Sequence, residues 1–388
     1  MSAAPGGLRG WLLDQAVPLW TGAGWDAATG TVWEALDHAG RPRRDLDRRL
    51  RVQARQAYAF ATLARQPGVC PALAADLRTR AEGLFDFVMT RGFAPGSGNL
   101  ASWLAPDLTI RTAPHDLYDL SFVLLAAAGL AAAGTDVSSE IARLEGALDR
   151  LAAPRGWHEC AARRLPRRQN PHMHLFEAMC ALYRATGAPR FAARAATCRR
   201  LMAETFLGAD LRLLEFYDAG LRPLTGADQR EEPGHLVEWI ALEAGWQALD
   251  LPEGAGGAPL PPPEAMFAAA TAHLSPGGLL PDVAGQASFR LWPQSELLRA
   301  ARLMQGAGAD LPERLRPEAV LARIRAGYLE TPVPGGWYDQ RDGKGALVSD
   351  TMPASTFYHL VEAFLCHDSG RLAGLTPPAV DQTAKTLS

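Results

Sequence analysis

Glu232-Pro233-Gly234-His235-Leu236-Val237-Glu238-Trp239 holds a helix start and a histidine within eight residues. Proline and glycine end an extended segment, and the helix is expected to begin at His235. Two other stretches have the same form: Asn170-Pro171-His172-Met173-His174 and Pro353-Ala354-Ser355-Thr356-Phe357-Tyr358-His359. Arg55, Tyr118 and Gln294 lie near the starts of further helical patterns. The series 55, 118, 174, 235, 294, 359 advances by 63, 56, 61, 59 and 65 residues. A repeat of that size is one helical hairpin long. Six such hairpins would aim six polar groups at one place, so the series predicts an all-α ring of helices around one pocket.

Working outward, about twelve helices are expected, near 8–21, 44–66, 71–91, 115–133, 137–152, 171–187, 189–207, 233–249, 263–274, 290–306, 316–330 and 353–368. Leu120 to Ala133 is apolar nearly all round, which implies burial on every side. Ala72 to Arg91 carries arginine and aspartate on one face. Buried helices alternating with amphipathic ones imply an inner and an outer layer. Pro67-Gly68 and Gly187-Ala188-Pro189 separate helices within hairpins. Longer loops at 92–114, 153–170, 208–232, 275–289 and 331–352 fall between hairpins and carry Trp103, Trp157 and Trp337. Loops on one rim of a rigid scaffold commonly carry substrate contacts. The Pro- and Gly-rich stretch 251–263 reads as a surface linker inside a hairpin. Residues 1–370 are expected to form a single catalytic domain, and 371–388 a disordered tail.

Composition narrows the function classes. The chain is 48% apolar and 21% charged, with a net charge of −3, which gives no footing for a nucleic-acid or membrane partner. The longest apolar run, Leu120 to Gly134, is too short to cross a bilayer. No apolar leader is evident, since Asp14 interrupts Trp11-Leu12-Leu13. The five cysteines form no C-x-x-C pair, which fits a reducing cytoplasm. A monomer or homodimer is expected. Lysine is confined to Lys344 and Lys385, against 37 arginines.

The recurring polar positions suggest proton transfer. Glu238 stands three residues after His235, within one helical turn, where a carboxylate can fix an imidazole tautomer and leave the other nitrogen free. His359 follows Ser355 and Thr356, which read as helix caps. His172 and His174 point about 200° apart on a helix, so only one can face a pocket and the pair cannot readily share a metal ion. No metal and no cofactor are expected. Glu177 repeats the His–Glu spacing after His174. Arg55 lies on an otherwise apolar helix and is either a clamp for an anion or an enediolate or a snorkelling side chain. Arg290-Leu291-Trp292-Pro293-Gln294-Ser295-Glu296 offers a stacking ring, an amide and a carboxylate, a set suited to a sugar. Arg163, Arg164, Arg167 and Arg168 could recognise a phosphate, although a solvated loop is the simpler reading.

These motifs resemble the N-acylglucosamine 2-epimerase superfamily, which includes cellobiose 2-epimerases, mannose isomerases and renin-binding proteins. The resemblance runs from about residue 40 to 370 and implies an (α/α)6 barrel. It implies that His235 and His359 are the acid/base pair and that His174 serves ring opening and O1/O2 contacts. Arg55, Tyr118, Asn170, Glu238, Trp292 and Glu296 match the family's pocket positions. The chain departs from it at Leu291, where epimerases carry a second tryptophan, and at Leu120, where the family has glutamine.

A cofactor-free sugar isomerase is therefore expected. It would remove the C2 proton of an open-chain aldose and pass through an enediolate. Mannose or mannose 6-phosphate going to fructose or its phosphate is the favoured reaction, with 2-epimerisation the alternative. The single ring at Trp292, without a partner at Leu291, is taken to favour the ketose. A glycoside hydrolase of this fold would need two carboxylates flanking the scissile bond, whereas histidines fill the recurring positions. A non-catalytic binding protein would not need all the proton-transfer positions filled.

Overall fold

The computed structural model describes residues 7–251 and 259–373. Six helices form an inner ring: Leu50–Ala64, Leu117–Ala132, Gln169–Thr186, Pro233–Gln247, Leu291–Gly306 and Ser355–Ser369. Each packs on the next, and the last packs back on the first, so the ring closes. Between them in sequence come the outer helices Pro71–Arg91, Ser138–Asp149, Pro189–Leu201, Pro263–Thr271 and Pro317–Ile324. Four of these begin on the proline that names them, a residue whose missing N–H costs nothing in a first turn. The N-terminal segments Gly7–Trp11, Leu12–Ala16 and Val17–Thr21 complete the outer layer, with Gly7–Trp11 packing on Ser355–Ser369. The sixth pair thus joins the two ends of the described chain. This is the expected (α/α)6 barrel.

Every expected helix is present. The first inner helix starts at Leu50 rather than near 44, because Arg48–Arg49 is a strand paired with Trp103–Leu104. The fourth starts at Pro233, two residues before His235. The inner helices are buried over most of their length, from Leu120 to Leu130 without interruption in the second. One apolar cluster runs from Leu8 to Ala373. The linker expectation for 251–263 and the tail expectation for 371–388 fall largely on 252–258 and 374–388, outside the described residues.

The inter-hairpin loops carry short antiparallel strand pairs on the rim where the inner helices begin. One device recurs there. A side chain 14 or 15 residues downstream satisfies the backbone of a preceding loop residue. Gln294 bonds both N and O of Leu280, His115 takes the N–H of Leu100, His172 that of Trp157, and Met352 Sδ that of Trp337. Gln53 does the same for Val32 from 21 residues away. Buried loop backbone must find partners, and these plugs supply them at almost every hairpin. Gln294 and His172 are therefore scaffold residues. Trp157 and Trp337 are likewise buried, Trp337 stacking on Trp20 and Phe357, so of the three rim tryptophans only Trp103 is exposed.

Candidate active site

The inner helices start at one end of the barrel, and their first two turns line a cavity of about 560 Å³. Position along the helix sets each residue's depth. Arg55, His174, Glu238 and Glu296 stand six residues after the residue preceding their helices (Arg49, Arg168, Glu232 and Arg290). Helical rise puts them about 9 Å below the rim. Arg51, Tyr118, Asn170 and Trp292 stand only two residues in, and form an upper layer. His235, Glu238, His174, Arg55, Tyr118, Asn170, Trp292 and His359 all line the cavity. Glu296 lies beneath it, fully buried, and is reached through His359.

Both paired histidines are held by carboxylates through Nδ1. His235 Nδ1 lies 2.6 Å from Glu215 Oε1, and His359 Nδ1 lies 2.7 Å from Glu296 Oε1. Such bonds orient the ring and leave Nε2 for chemistry. The expected Glu238–His235 bond does not form. Both Glu238 oxygens are buried without a hydrogen-bond partner, and Glu215, on the loop before Phe216–Tyr217, takes that place. Glu215 had no helical spacing to reveal it. It is held in turn by Gln169 Nε2 at 2.8 Å. The third histidine, His174, has Nδ1 3.1 Å from Glu177 Oε2, the spacing read from sequence. Glu177 also accepts the Tyr358 hydroxyl. Ser355 and Thr356 do not cap their helix; Thr356 Oγ1 instead donates to Asp339 at 2.8 Å.

Trp292 lies between the two paired histidines, its ring 5.1 Å from that of His235 and 5.6 Å from that of His359. A Cβ at Gly234 would sit 2.6 Å from the Trp292 ring, so only glycine admits the tryptophan there. Leu291 is fully buried and lines no part of the cavity, so the argument that set the product by a missing ring at 291 has no footing. Arg55 donates to Tyr118 Oη at 2.8 Å and lies 3.9 Å over the Phe122 ring. Its Nε and Asn170 Oδ1 are also buried without partners. Buried polar atoms are seldom left unpaired, and these border the cavity.

The electrostatics split the two histidines. Burial disfavours the charged form of His235, but Glu215 and Glu232 outweigh it and raise the imidazole to about 10. His359 is driven well below its ordinary value by burial, reinforced by Arg55 and Arg299. His174 is lowered to about 4 by burial, against the pull of Glu177. Near neutrality His235 is thus an imidazolium, and His359 and His174 are neutral. Glu238 is pushed well above its ordinary value by burial and by Glu296, which favours its protonated form. Beneath the floor, Arg299 bridges Glu296 (3.3 Å) and Glu362 (2.9 Å), and Glu362 accepts from Tyr58 (2.9 Å). Arg299, Glu362 and Tyr358 were not singled out from sequence, since a buried ion network leaves no periodic signal.

Six arginines line the cavity: Arg49, Arg51, Arg55, Arg168, Arg230 and Arg290. Of the arginine run read as a solvated loop, Arg163 and Arg164 are exposed, but Arg167 is buried on carbonyls and Arg168 faces the cavity. Glu215, Glu232 and His235, and likewise Glu238, Glu296 and His359, bring possible ligand atoms within 4.8 Å of one another. In each triad the histidine Nδ1 is already bonded to a carboxylate, and the arginine lining opposes a cation. His172 points away from His174, with Nδ1 on Arg168 O and Nε2 on Trp157 N–H.

The N-acylglucosamine 2-epimerase (GlcNAc 2-epimerase) family matches residues 31–363. The mannose-6-phosphate isomerase of Rhizobium meliloti (strain 1021) is 35% identical, over 92% of this chain and 94% of its own length. The structure of a D-mannose isomerase superposes with a TM-score of 0.77 at 18% identity, covering 92% of this chain and 96% of that one. The cellobiose 2-epimerase from Spirochaeta thermophila superposes at 0.76 and 18% identity, over 92% and 94%. Among the described residues, no helix is long and apolar enough to cross a membrane. A barrel of this form, closed over paired histidines and matched along most of its length, belongs to the N-acylglucosamine 2-epimerase family, and the protein is a sugar isomerase or epimerase.

Proposed function

We propose that the protein interconverts an aldose and its ketose at C1–C2, with mannose or mannose 6-phosphate as the aldose. The observation that carries the reading is the pair of oppositely poised histidines either side of Trp292. Titratable groups whose surroundings drive their values apart are candidates for base and acid. His359, neutral, is the base that takes the C2 proton. His235, an imidazolium, stabilises charge on the forming enediolate, with Arg55 beside it. Glu238 donates a hydrogen bond as a neutral acid, and His174 and Asn170 position O1 and O2. Return of the proton from His359 to C1, with the O2 hydroxyl proton passed to O1, gives the ketose. Delivery from His235 to the opposite face of C2 would give the epimer. The name of the Rhizobium relative supports the first outcome.

We further read 1–370 as one catalytic unit acting in the cytoplasm, where its five unpaired cysteines would stay reduced. The deciding experiment is incubation of mannose and mannose 6-phosphate in heavy water, followed by carbon NMR. Ketose with deuterium at C1 is expected. Glucose or its phosphate as the first product, without accumulating ketose, would favour 2-epimerisation. No exchange at C2 in either sugar would overturn both.

A further inference from the structure

A second recess, of about 620 Å³, adjoins the catalytic cavity and shares Arg51, Tyr118 and Arg168 with it. Three guanidinium groups converge on the one Tyr118 ring. The Cζ atoms of Arg51, Arg55 and Arg168 lie 5.4, 5.7 and 5.8 Å from its centroid. Arg55 belongs to the deep layer and donates to the tyrosine hydroxyl. The other two stand higher. Arg51 is two residues into its helix and Arg168 immediately precedes its own.

Their charges are only partly spent. Arg51 Nη1 bonds Asp119 Oδ1 at 2.8 Å, and its Nε and Nη2 make no hydrogen bond among the described residues. Arg168 grips Glu159 through Nε and Nη2 and reaches Asp116 at 3.5 Å, and its Nη1 makes no hydrogen bond among the described residues. Asp116 is itself lifted to about 6, by burial and by neighbouring Asp119, and still carries most of its charge near neutrality. Arg164, which also lines the recess, donates to Cys160 Sγ at 3.3 Å and forms no ion pair among the described residues.

The depth of the cluster matters. Arg51 stands four residues above Arg55 along one helix, a rise of about 6 Å. Arg168 stands six residues above His174, about 9 Å. In an extended open-chain hexose 6-phosphate the phosphorus lies roughly 7 Å from C2, six bonds of about 1.5 Å along a zigzag. A sugar whose C1–C2 end meets Arg55 and His174 therefore carries its phosphate to the height of Arg51 and Arg168. A guanidinium fork matches phosphate oxygens in shape and charge.

We propose that Arg51 and Arg168, flanking Tyr118, form a binding site for the terminal phosphate of the sugar, and that the enzyme selects phosphorylated over free substrate through it. The proposal rests on the isomerase reading and names its substrate class. The test compares kcat/KM for mannose 6-phosphate and mannose, in the wild type and in Arg51→Gln and Arg168→Lys. The lysine variant keeps a cation for Glu159 and Asp116 and so guards against loss of fold. The wild type should prefer the phosphorylated sugar. Each variant should reduce that preference roughly 10- to 100-fold, the usual scale of a lost charge-assisted hydrogen bond, chiefly through KM for the phosphate ester. Equal use of both sugars by the wild type, or variants that slow both sugars alike, would overturn the site while leaving the isomerase reading intact. Calorimetry with inorganic phosphate tests the site without turnover. Millimolar binding weakened in both variants supports it even should neither sugar react; no binding to the wild type overturns it.

Discussion

Glu215 Oε1 stands 2.6 Å from His235 Nδ1 although 20 residues, the strand Phe216–Tyr217 among them, separate the two in the chain. The carboxylate is buried, and so is the imidazole it holds. Glu215 itself is held below its ordinary value: burial works against this, but the charge of His235 and its bond prevail. The pair is an ion pair in the working pH range. Glu215→Gln keeps the shape and removes the charge. His235 should then lose its proton at a lower pH. In the wild type, activity should hold until the pH nears 10 and fall as the imidazolium deprotonates. In the variant that alkaline limb should move down by at least one pH unit, as read from kcat/KM between pH 6 and 11. An unmoved limb would mean that His235 is not the group that titrates.

On the acid side the sign is opposite. His359 is the proposed neutral base, and burial together with Arg55 lowers its affinity for a proton. Activity should stay flat through pH 6 and decline only below it. His359→Asn and His235→Asn should each cut turnover by about two orders of magnitude or more, the usual worth of general acid–base catalysis. Both proteins should keep their helical circular dichroism. Near-normal turnover in both would remove these residues from the chemistry.

Gly234 and Trp292 offer a subtler test, because neither carries a proton. Gly234→Ala forces the indole away from its place between the histidines. The backbone at 234 is helical, so the alanine should not weaken the helix. Turnover should fall on the order of 10- to 100-fold, the scale of a misplaced reacting group, with little change in melting temperature. Restoration by Trp292→Phe in the same chain would tie the loss to crowding.

Extended dialysis against a chelator should leave activity intact. The reason is the charge around the cavity: six arginines line it, and the two histidines of the possible ligand sets are tied to carboxylates. Activity lost on dialysis and restored by a divalent cation would place an ion in one of those sets.

The fold was legible because polar groups near the starts of the inner helices repeat at a nearly constant interval, and because one of those helices is apolar nearly all round from Leu120 to Ala133. The site was legible in part. The series 55, 118, 174, 235, 294, 359 found the right helices but mixed residues at different depths, so Gln294, which faces a loop backbone, was grouped with residues that face the cavity. The true neighbours Trp292 and Glu296 lay two residues either side, and the family resemblance picked them out. Glu238 was paired with His235 by helical spacing, yet the partner came from a loop, which spacing cannot reveal. Arg51 was lost among 37 arginines, and Arg168, named with Arg163, Arg164 and Arg167 as a possible phosphate contact, was set with them in a solvated loop, since type alone does not distinguish a rim side chain from a solvated one.

The arrangement of cavity residues in two tiers along the helix axis separates two kinds of evolutionary change. The lower tier is proposed to meet the reacting end of the sugar, and there Glu296, which holds His359, is itself gripped by the buried Arg299–Glu362 pair, so few substitutions can survive. The upper tier is proposed to meet the far end of the sugar, and its members stand in the first turns of their helices, beside the rim loops. A lineage could therefore change the sugar it accepts by altering residues such as Arg51, Tyr118 and Arg168, while the reaction at C1 and C2 is inherited unchanged.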